Sequence, residues 1–527
     1  MANLTRRSSP LLIPAFVAVA VISLVACVGK RNLAWDDADY LRDGLRVANA
    51  IRAKWSSQPV EALETLLRVR PKPPLLVGWI ALGGLVEWLR RPSSLLLFAS
   101  VVPFAALLLG VARVGWVLAG PRAATLALIC VAASPMGLSI GSRVMVETSM
   151  GLWVVLAFFL AANLLNRPSR GFAVALGAVI GLACLTKLTA ALIFPVPGLL
   201  TLVLLVRRLG ASKASKLMVW STAALLLFAG PWYVENGPEA VRFAGFSSRY
   251  NLAALGSSDV VGPGERLVAL ARDIAGWPLL GAAAIAAVGM AWRRPSEISD
   301  RSGVAADYWV LAVAGGVSSA LILLVPAYFD PRFFLPAWPA LAVGCGALLA
   351  RGGWDRGWLS AVAVTGLLGL GILQSADRLA SEPRTTTFWA ARSLIDDLVR
   401  RHGVANIYNV GNCRDWNVSK TGLINELRPD PTDCFVLHDL SGSTPEKFLP
   451  RLEQAESVVA LDRASLPPEW FEYGPNLNRN CGPAVAHLLN DRRFVRVLDY
   501  PSEGLPPLFV FVRRDLQAAQ ADARSRR

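Results

Sequence analysis

Residues 171–206 read GFAVALGAVIGLACLTKLTAALIFPVPGLLTLVLLV, and the reading of this stretch decides the fold. It carries a single charge, Lys187. A helix needs about 20 apolar residues to cross a bilayer, so the stretch divides into two spans, 171–187 and 190–206, that meet at the lysine. Working outward, runs of the same kind recur at 11–28, 73–89, 95–112, 123–140, 148–165, 217–234, 267–291, 307–326, 333–350 and 357–374. The first has no clear small-residue cleavage site and reads as a retained helix rather than a signal peptide. The pattern predicts a polytopic α-helical membrane protein of about 11–13 transmembrane helices.

Composition agrees. Of 527 residues 54% are hydrophobic and 17% charged, against about 25% charged in soluble proteins. Disordered chains, coiled coils and disulfide-stapled secreted modules are excluded. The net charge of +15 could signify nucleic acid, but its distribution says otherwise. Residues 1–376 hold 33 basic and 18 acidic side chains, while 377–527 hold 20 of each. The excess therefore belongs to the membrane part, and no nucleic-acid partner is expected.

Lys and Arg accumulate in cytoplasmic loops. Arg6 and Arg7, the group Arg207, Arg208, Lys213 and Lys216, the pair Arg293/Arg294, and Arg351 with Arg356 mark the inside. Segments 30–72, 141–147, 235–266, 327–332 and all of 377–527 then face outward, as in an inner-membrane protein of a bacterium with a cytoplasmic N-terminus. Twelve full crossings would return the C-terminus to the cytoplasm. Between Lys72 and Arg122, either one of the runs 73–89 and 95–112 fails to cross, or a further crossing is hidden.

The division into a membrane domain (1–376) and an outer domain (377–527) also shows in the pattern. After Ala376, strand-like runs at 406–410, 434–438, 457–461, 494–499 and 508–512 alternate with helical stretches at 388–401, 444–455 and 483–490. That order predicts a soluble α/β domain with a mainly parallel sheet. His402, His438 and His487 are the three histidines and all lie here, so chemistry in the membrane part has no histidine of its own. No His/Cys metal spacing occurs. Cys27, Cys130, Cys184 and Cys345 read as small core residues, and two of Cys413, Cys434 and Cys481 could pair in an oxidising compartment.

Charged residues near the outer ends of the spans are the functional candidates. The first outer loop opens Ala34-Trp35-Asp36-Asp37-Ala38-Asp39-Tyr40 and continues as an amphipathic juxtamembrane helix. On spacing alone, a helix cap plus a solvated charge explains these acids as well as catalysis does. The loop closes with Arg70-Pro71-Lys72-Pro73-Pro74, holding a lysine at headgroup height, where an anchoring role is the plain alternative. Lys187 is costly where it stands, and intramembrane charges are usually functional. Glu147 is a second outer-end acid, with Arg143 four residues back as its expected partner. Tyr233, Arg249, Asp330 and Arg332 complete the set, Asp330 and Arg332 pairing or lining a polar pocket. Cations at an outer leaflet suit a lipid phosphate, and a nearby carboxylate suits deprotonation of an attacking hydroxyl or amine.

In order, these landmarks resemble the GT-C superfamily of polyprenyl-phosphate-sugar-dependent glycosyltransferases, in particular the protein O-mannosyltransferase and lipid A aminoarabinose transferase group. The matching residues are Asp36-Asp37 with Tyr40 and Gly44, Lys72-Pro73-Pro74, Arg143 with Glu147, Thr186-Lys187, Pro231-Trp232-Tyr233, and Arg332 before an aromatic pair and Pro336. They span residues 1–376, and each motif is short. The resemblance implies an outward site under the first loop and a sugar donor linked to an isoprenoid phosphate. It implies Asp36 or Asp37 as general base, Glu147 as a second acid, and Lys72, Lys187, Arg249 and Arg332 toward the donor phosphate. Tyr40, Arg143, Tyr233 and Asp330 would line the substrate pocket. Inversion at the sugar carbon follows from direct displacement. Asp36-Asp37 stands where the commonest pattern has Asp-Glu. Only some members use a divalent cation, which here would sit at Asp36 and Asp37. The acceptor, whether lipid, glycan or protein, is not specified. Two other classes stay open at this point: a transporter or flippase of a lipid-linked or anionic solute, and an inactive scaffold with a partner-binding outer domain.

Overall fold

The structure is a computed structural model that describes residues 35–55, 57–61, 64, 73–90, 92–141, 143–255, 262–291, 302–324, 331–351, 358–381, 387–411, 416, 418–427, 436–439, 445–465, 480–497 and 505–518. The apolar run 11–28, Lys72, Asp330, Cys413 and Cys434 lie outside the described residues.

Helix α1 (Trp35–Lys54) has the amphipathic character its spacing predicts. Ala38, Leu41, Leu45 and Ala48 are buried, and Arg46 is exposed. Beside it runs α2 (Pro74–Leu85), apolar throughout and begun by a proline, whose missing N–H costs nothing in a first turn. Twelve residues reach about 18 Å, well short of the roughly 30 Å of hydrocarbon. The helix is also tied to α1 along its length. A side chain at Gly44 would strike Ile80, and one at Gly84 would meet Ala48. Past the end of α2, Arg52 donates to Leu85 O at 2.9 Å and Arg90 to Asn49 Oδ1 at 2.9 Å. Of the two runs in conflict, 94–119 is long and apolar enough to cross a membrane, whereas Pro74–Leu85 is one of the shorter apolar helices.

The bundle continues through α3 (Pro92–Ala119), α4 (Pro121–Ala132), α5 (Val146–Asn166), α6 (Arg170–Cys184), α7 (Pro195–Leu209), α8 (Ala211–Leu255), α9 (Pro263–Leu270), α10 (Trp277–Ala291), α11 (Ser302–Leu324), α12 (Trp338–Arg351) and α13 (Trp358–Ser381). Among the described residues, five segments are long and apolar enough to cross a membrane: 94–119, 146–166, 211–243, 303–321 and 332–350. A sixth is formed if 263–275 and 277–285, bent by 84°, count as one span. Shorter apolar helices, among them α4, α6 and 362–377, fill the bundle between them. The chain is an integral membrane protein.

Helix α8 departs from expectation. The apolar run ends at Val234, and an outer loop was expected from 235, but the helix continues to Leu255. Residues 235–255 have lost the apolar pattern and kept helix-forming Ala, Glu, Arg and Leu, so hydropathy stops where the backbone does not.

At one end of the bundle three helices are stapled together. Arg208, in the last turn of α7, donates from Nη1 and Nη2 to the two oxygens of Asp307 in α11, at 2.7 and 2.8 Å. Asn166, at the end of α5, donates to the same carboxylate at 2.7 Å. Arg208 also donates to Leu165 O at 3.2 Å.

The C-terminal part comprises α14 (Thr387–His402), β1 (Asn406–Val410), α15 (Val418–Glu426), β2 (Val436–Asp439), α16 (Pro445–Leu452), β3 (Ser457–Leu461), α17 (Cys481–Asn490), β4 (Phe494–Val497) and β5 (Leu508–Arg513). The strand order is β2-β1-β3-β5-β4. Strand β1 is parallel to β2 and β3, whereas β5 is antiparallel to both β3 and β4. The sheet is thus mixed rather than mainly parallel. Its last two strands pair antiparallel with each other, as hairpin neighbours do. Cys481 is buried, and its Sγ donates to Val410 O at 3.5 Å. Helix α13 runs through Ala376 to Ser381, so the membrane helix ends a little later than the change in composition.

Candidate active site

The site is built around the end of α6. The last carbonyls of any helix lack intrahelical partners, and here donors from two other elements fill the gap. Leu75 N donates to Leu185 O at 3.0 Å. Pro73 and Pro74 have no N–H, so Leu75 offers the first donor of α2, and this bond fixes the start of α2 against the end of α6. Tyr233 OH donates to Cys184 O at 3.0 Å. Close packing makes that reach possible: Gly177 and Gly181 let α6 approach α8 at Ser221 and Phe228, the small-xxx-small spacing of membrane helix pairs.

Just beyond the helix, Thr186 N and Lys187 N both donate to Ala183 O, at 3.0 and 3.1 Å. Buried Thr186 donates its hydroxyl to Leu182 O at 2.8 Å and accepts from Trp153 Nε1 at 3.1 Å. Lys187 is thereby aimed at the first turn of α5, where its Nζ donates to Glu147 Oε1 at 2.5 Å. The ammonium also lies 4.3 Å from the centroid of Phe333, and the guanidinium of Arg332 lies 5.4 Å from the same ring. Such contacts draw on the negative face of the ring.

Glu147 is 3% exposed, and its Oε2 is buried without a hydrogen-bond partner among the described residues. A carboxylate so enclosed acts first on its neighbour: it holds the ammonium of Lys187 in place. The Lys187 side chain retains 15% of its exposure.

The sequence candidates divide by what the structure describes. Glu147, Lys187 and Arg332 come together around Phe333, and Tyr233 reaches the same helix end. Arg143 is half-buried in the turn before α5. Because α5 starts only at Val146, the four-residue spacing from Arg143 to Glu147 is not a helical one, and Lys187, forty residues on, supplies the ion pair. Half-buried Tyr40 packs against the core in the first turns of α1. Asp36 and Asp37 occupy the first turn of α1, and Arg249 lies in the last part of α8; their side chains are outside the description. The proposed cation would rest on those same Asp36 and Asp37 side chains. Among the described residues, no three His, Cys, Asp or Glu side chains converge as a metal site.

Sequence reasoning passed over Trp153, whose indole orients Thr186, and the fully buried Lys420 of the outer domain. A lone Trp in an apolar span gives little signal. Lys420, in a nine-residue helix with no apolar periodicity, gives none.

Residues 80–247 match the family described as dolichyl-phosphate-mannose-protein mannosyltransferase. No curated protein matches the chain. Among solved structures, ArnT from Cupriavidus metallidurans bound to undecaprenyl phosphate is similar with a TM-score of 0.61 at 15% identity, over 96% of this chain and 98% of that one. An oligosaccharyltransferase from Archaeoglobus fulgidus, in complex with Zn and sulfate, matches with a TM-score of 0.53 at 12% identity, over 86% and 70%. The arabinofuranosyltransferase AftD from Mycobacteria matches with a TM-score of 0.52 at 15% identity, over 96% of this chain and 41% of that one.

Proposed function

We infer that this chain, which has the GT-C fold, is a membrane glycosyltransferase that moves a sugar from a polyprenyl-phosphate-linked donor to a lipid, glycan or protein acceptor. The observation that carries the reading is Lys187, held by buried Glu147 and grouped with Arg332 at the helix end that also anchors the start of α2. Lys72 precedes α2 by two residues in the sequence. The basic loops argue that this end faces outward, in a bacterial inner membrane.

In the proposed reaction an acceptor hydroxyl or amine attacks the anomeric carbon as the bond to the phosphate oxygen breaks. Asp36 or Asp37 takes the acceptor's proton. The donor phosphodiester leaves as a lipid phosphomonoester with one more negative charge, and Lys187, Arg332 and Lys72 neutralise it. Donors placed where charge develops in a dry site contribute about 3–4 kcal/mol each. Direct displacement inverts the sugar carbon.

The test is to incubate the purified protein with a panel of polyprenyl-phosphate sugars, with and without a chelator, and to follow free lipid phosphate by mass spectrometry. At least one donor should release it, and Asp36→Asn or Asp37→Asn should abolish release in a folded protein. Full activity in both variants, or no release from any donor, overturns the reading.

A further inference from the structure

The outer domain does not merely sit above the bundle; one of its helices grips α1. In α1, positions 39, 42 and 49 share a face, and in α15 positions 419, 422 and 426 do, each following helical spacing. The two stripes meet. Ser419 Oγ donates to Asp39 Oδ1 at 3.2 Å. Asn49 Nδ2 donates to Glu426 O at 3.2 Å and to Glu426 Oε2 at 3.1 Å. Between these contacts the stem of Arg42 lies on the backbone of α15, and a Cβ at Gly422 would come within 2.8 Å of Arg42 Cδ. Arg42 in turn pairs with Asp39 at 2.5 Å and with Asp43 at 3.0 Å. Asn49 also accepts from Arg90, which links the seam to the chain beyond α2.

The seam runs for about 15 Å along α1, and its first contact, Asp39, stands one turn after Asp36. A helix that starts at Trp35 would fray in its opening turn without external bonds. We propose that α15 is the positioning element for the first-turn carboxylates of α1, with Ser419, Gly422 and Glu426 as positioning residues. The outer domain is then part of the catalytic unit rather than an appended binding module. This rests on the assignment of Asp36 and Asp37 to the reaction.

The full-length protein in lipid nanodiscs tests it through Gly422→Val, which displaces Arg42, and the milder Ser419→Ala. A displacement near 1 Å of a catalytic group costs on the order of 100-fold in rate. Gly422→Val should therefore lower kcat by at least about tenfold while the donor KM and the affinity for free polyprenyl phosphate stay within about twofold. Ser419→Ala should give a smaller loss that Ser419→Thr restores. Hydrogen–deuterium exchange supplies a readout independent of activity: 35–42 should exchange faster in Gly422→Val, and 181–187 should not. Unchanged exchange at 35–42, or parallel loss of kcat and lipid-phosphate affinity, overturns the positioning role. A wild-type protein that transfers nothing sinks the glycosyltransferase reading alone, because the exchange experiment still decides whether α15 orders α1.

Discussion

Lys187 was legible because a charge inside a long apolar stretch has no cheap explanation. Its partner was not, because an ion pair across two helices depends on packing that spacing does not encode. The pair makes a quantitative prediction. Breaking a buried pair by removing one member leaves the other charge uncompensated and costs about 3–5 kcal/mol. Glu147→Gln and Lys187→Met should each lower the thermal midpoint in detergent. The double variant should lose less than the sum of the two, and Lys187→Met should also lose affinity for free lipid phosphate. Additive losses would show that the 2.5 Å contact carries no coupling. Phe333 was visible only as half of an aromatic pair; its role as the surface shared by Lys187 and Arg332 is a product of folding.

At the scale of elements, the hydropathy pattern located most helices but could not tell a crossing from a helix lying beside one. Helix α2 shows why: it is as apolar as a span, yet its twelve residues make it one of the shorter apolar helices. Single cysteines at Gln58 and Glu87, in a background without reactive native thiols, should therefore react with an impermeant maleimide from the same face of the membrane. Labelling of the two from opposite faces would mean that α2 crosses after all. Helix α15 was missed for the opposite reason, since it borrows its stability from α1, α14 and β2 instead of from an apolar stripe of its own.

The seam on α15 also has a pH dependence. Burial pushes the Glu426 carboxyl up from its ordinary value, while the Asn49 hydrogen bond, Arg46 and Arg42 pull it back and Asp43 adds to the rise. A raised folded-state value favours the protonated form. Its contribution to stability is full below the unfolded carboxyl's value and is lost as pH rises through the folded one. Glu426→Gln should flatten that part of the profile of thermal midpoint against pH above about pH 4, and an unchanged slope would assign it to another group.

Over the whole molecule, the charge excess and the run of apolar segments disclosed a membrane protein whose C-terminal part is balanced in charge. The match at 80–247 runs from α2 to α8 and so includes Glu147, Lys187 and Tyr233, yet stops short of Arg332 and begins after Asp36-Asp37. Local motifs carried those outlying residues, and the fold comparison spans both ends. The Arg208–Asp307–Asn166 staple closes the far end of the same helices. Asn166 stands nineteen residues after Glu147 in α5, about 28 Å along the axis. Asp307→Ala leaves Arg208 and Asn166 without their shared acceptor. It should lower the thermal midpoint while donor KM holds, and a change in KM with no loss of stability would contradict a purely structural staple.

That staple has a mechanical consequence. Like the spring of a clothes-peg, it ties α5, α7 and α11 together at one end. If the proposed lipid-phosphate donor enters between these helices, the staple would leave the opposite end, beside Lys187, as the end with room to open.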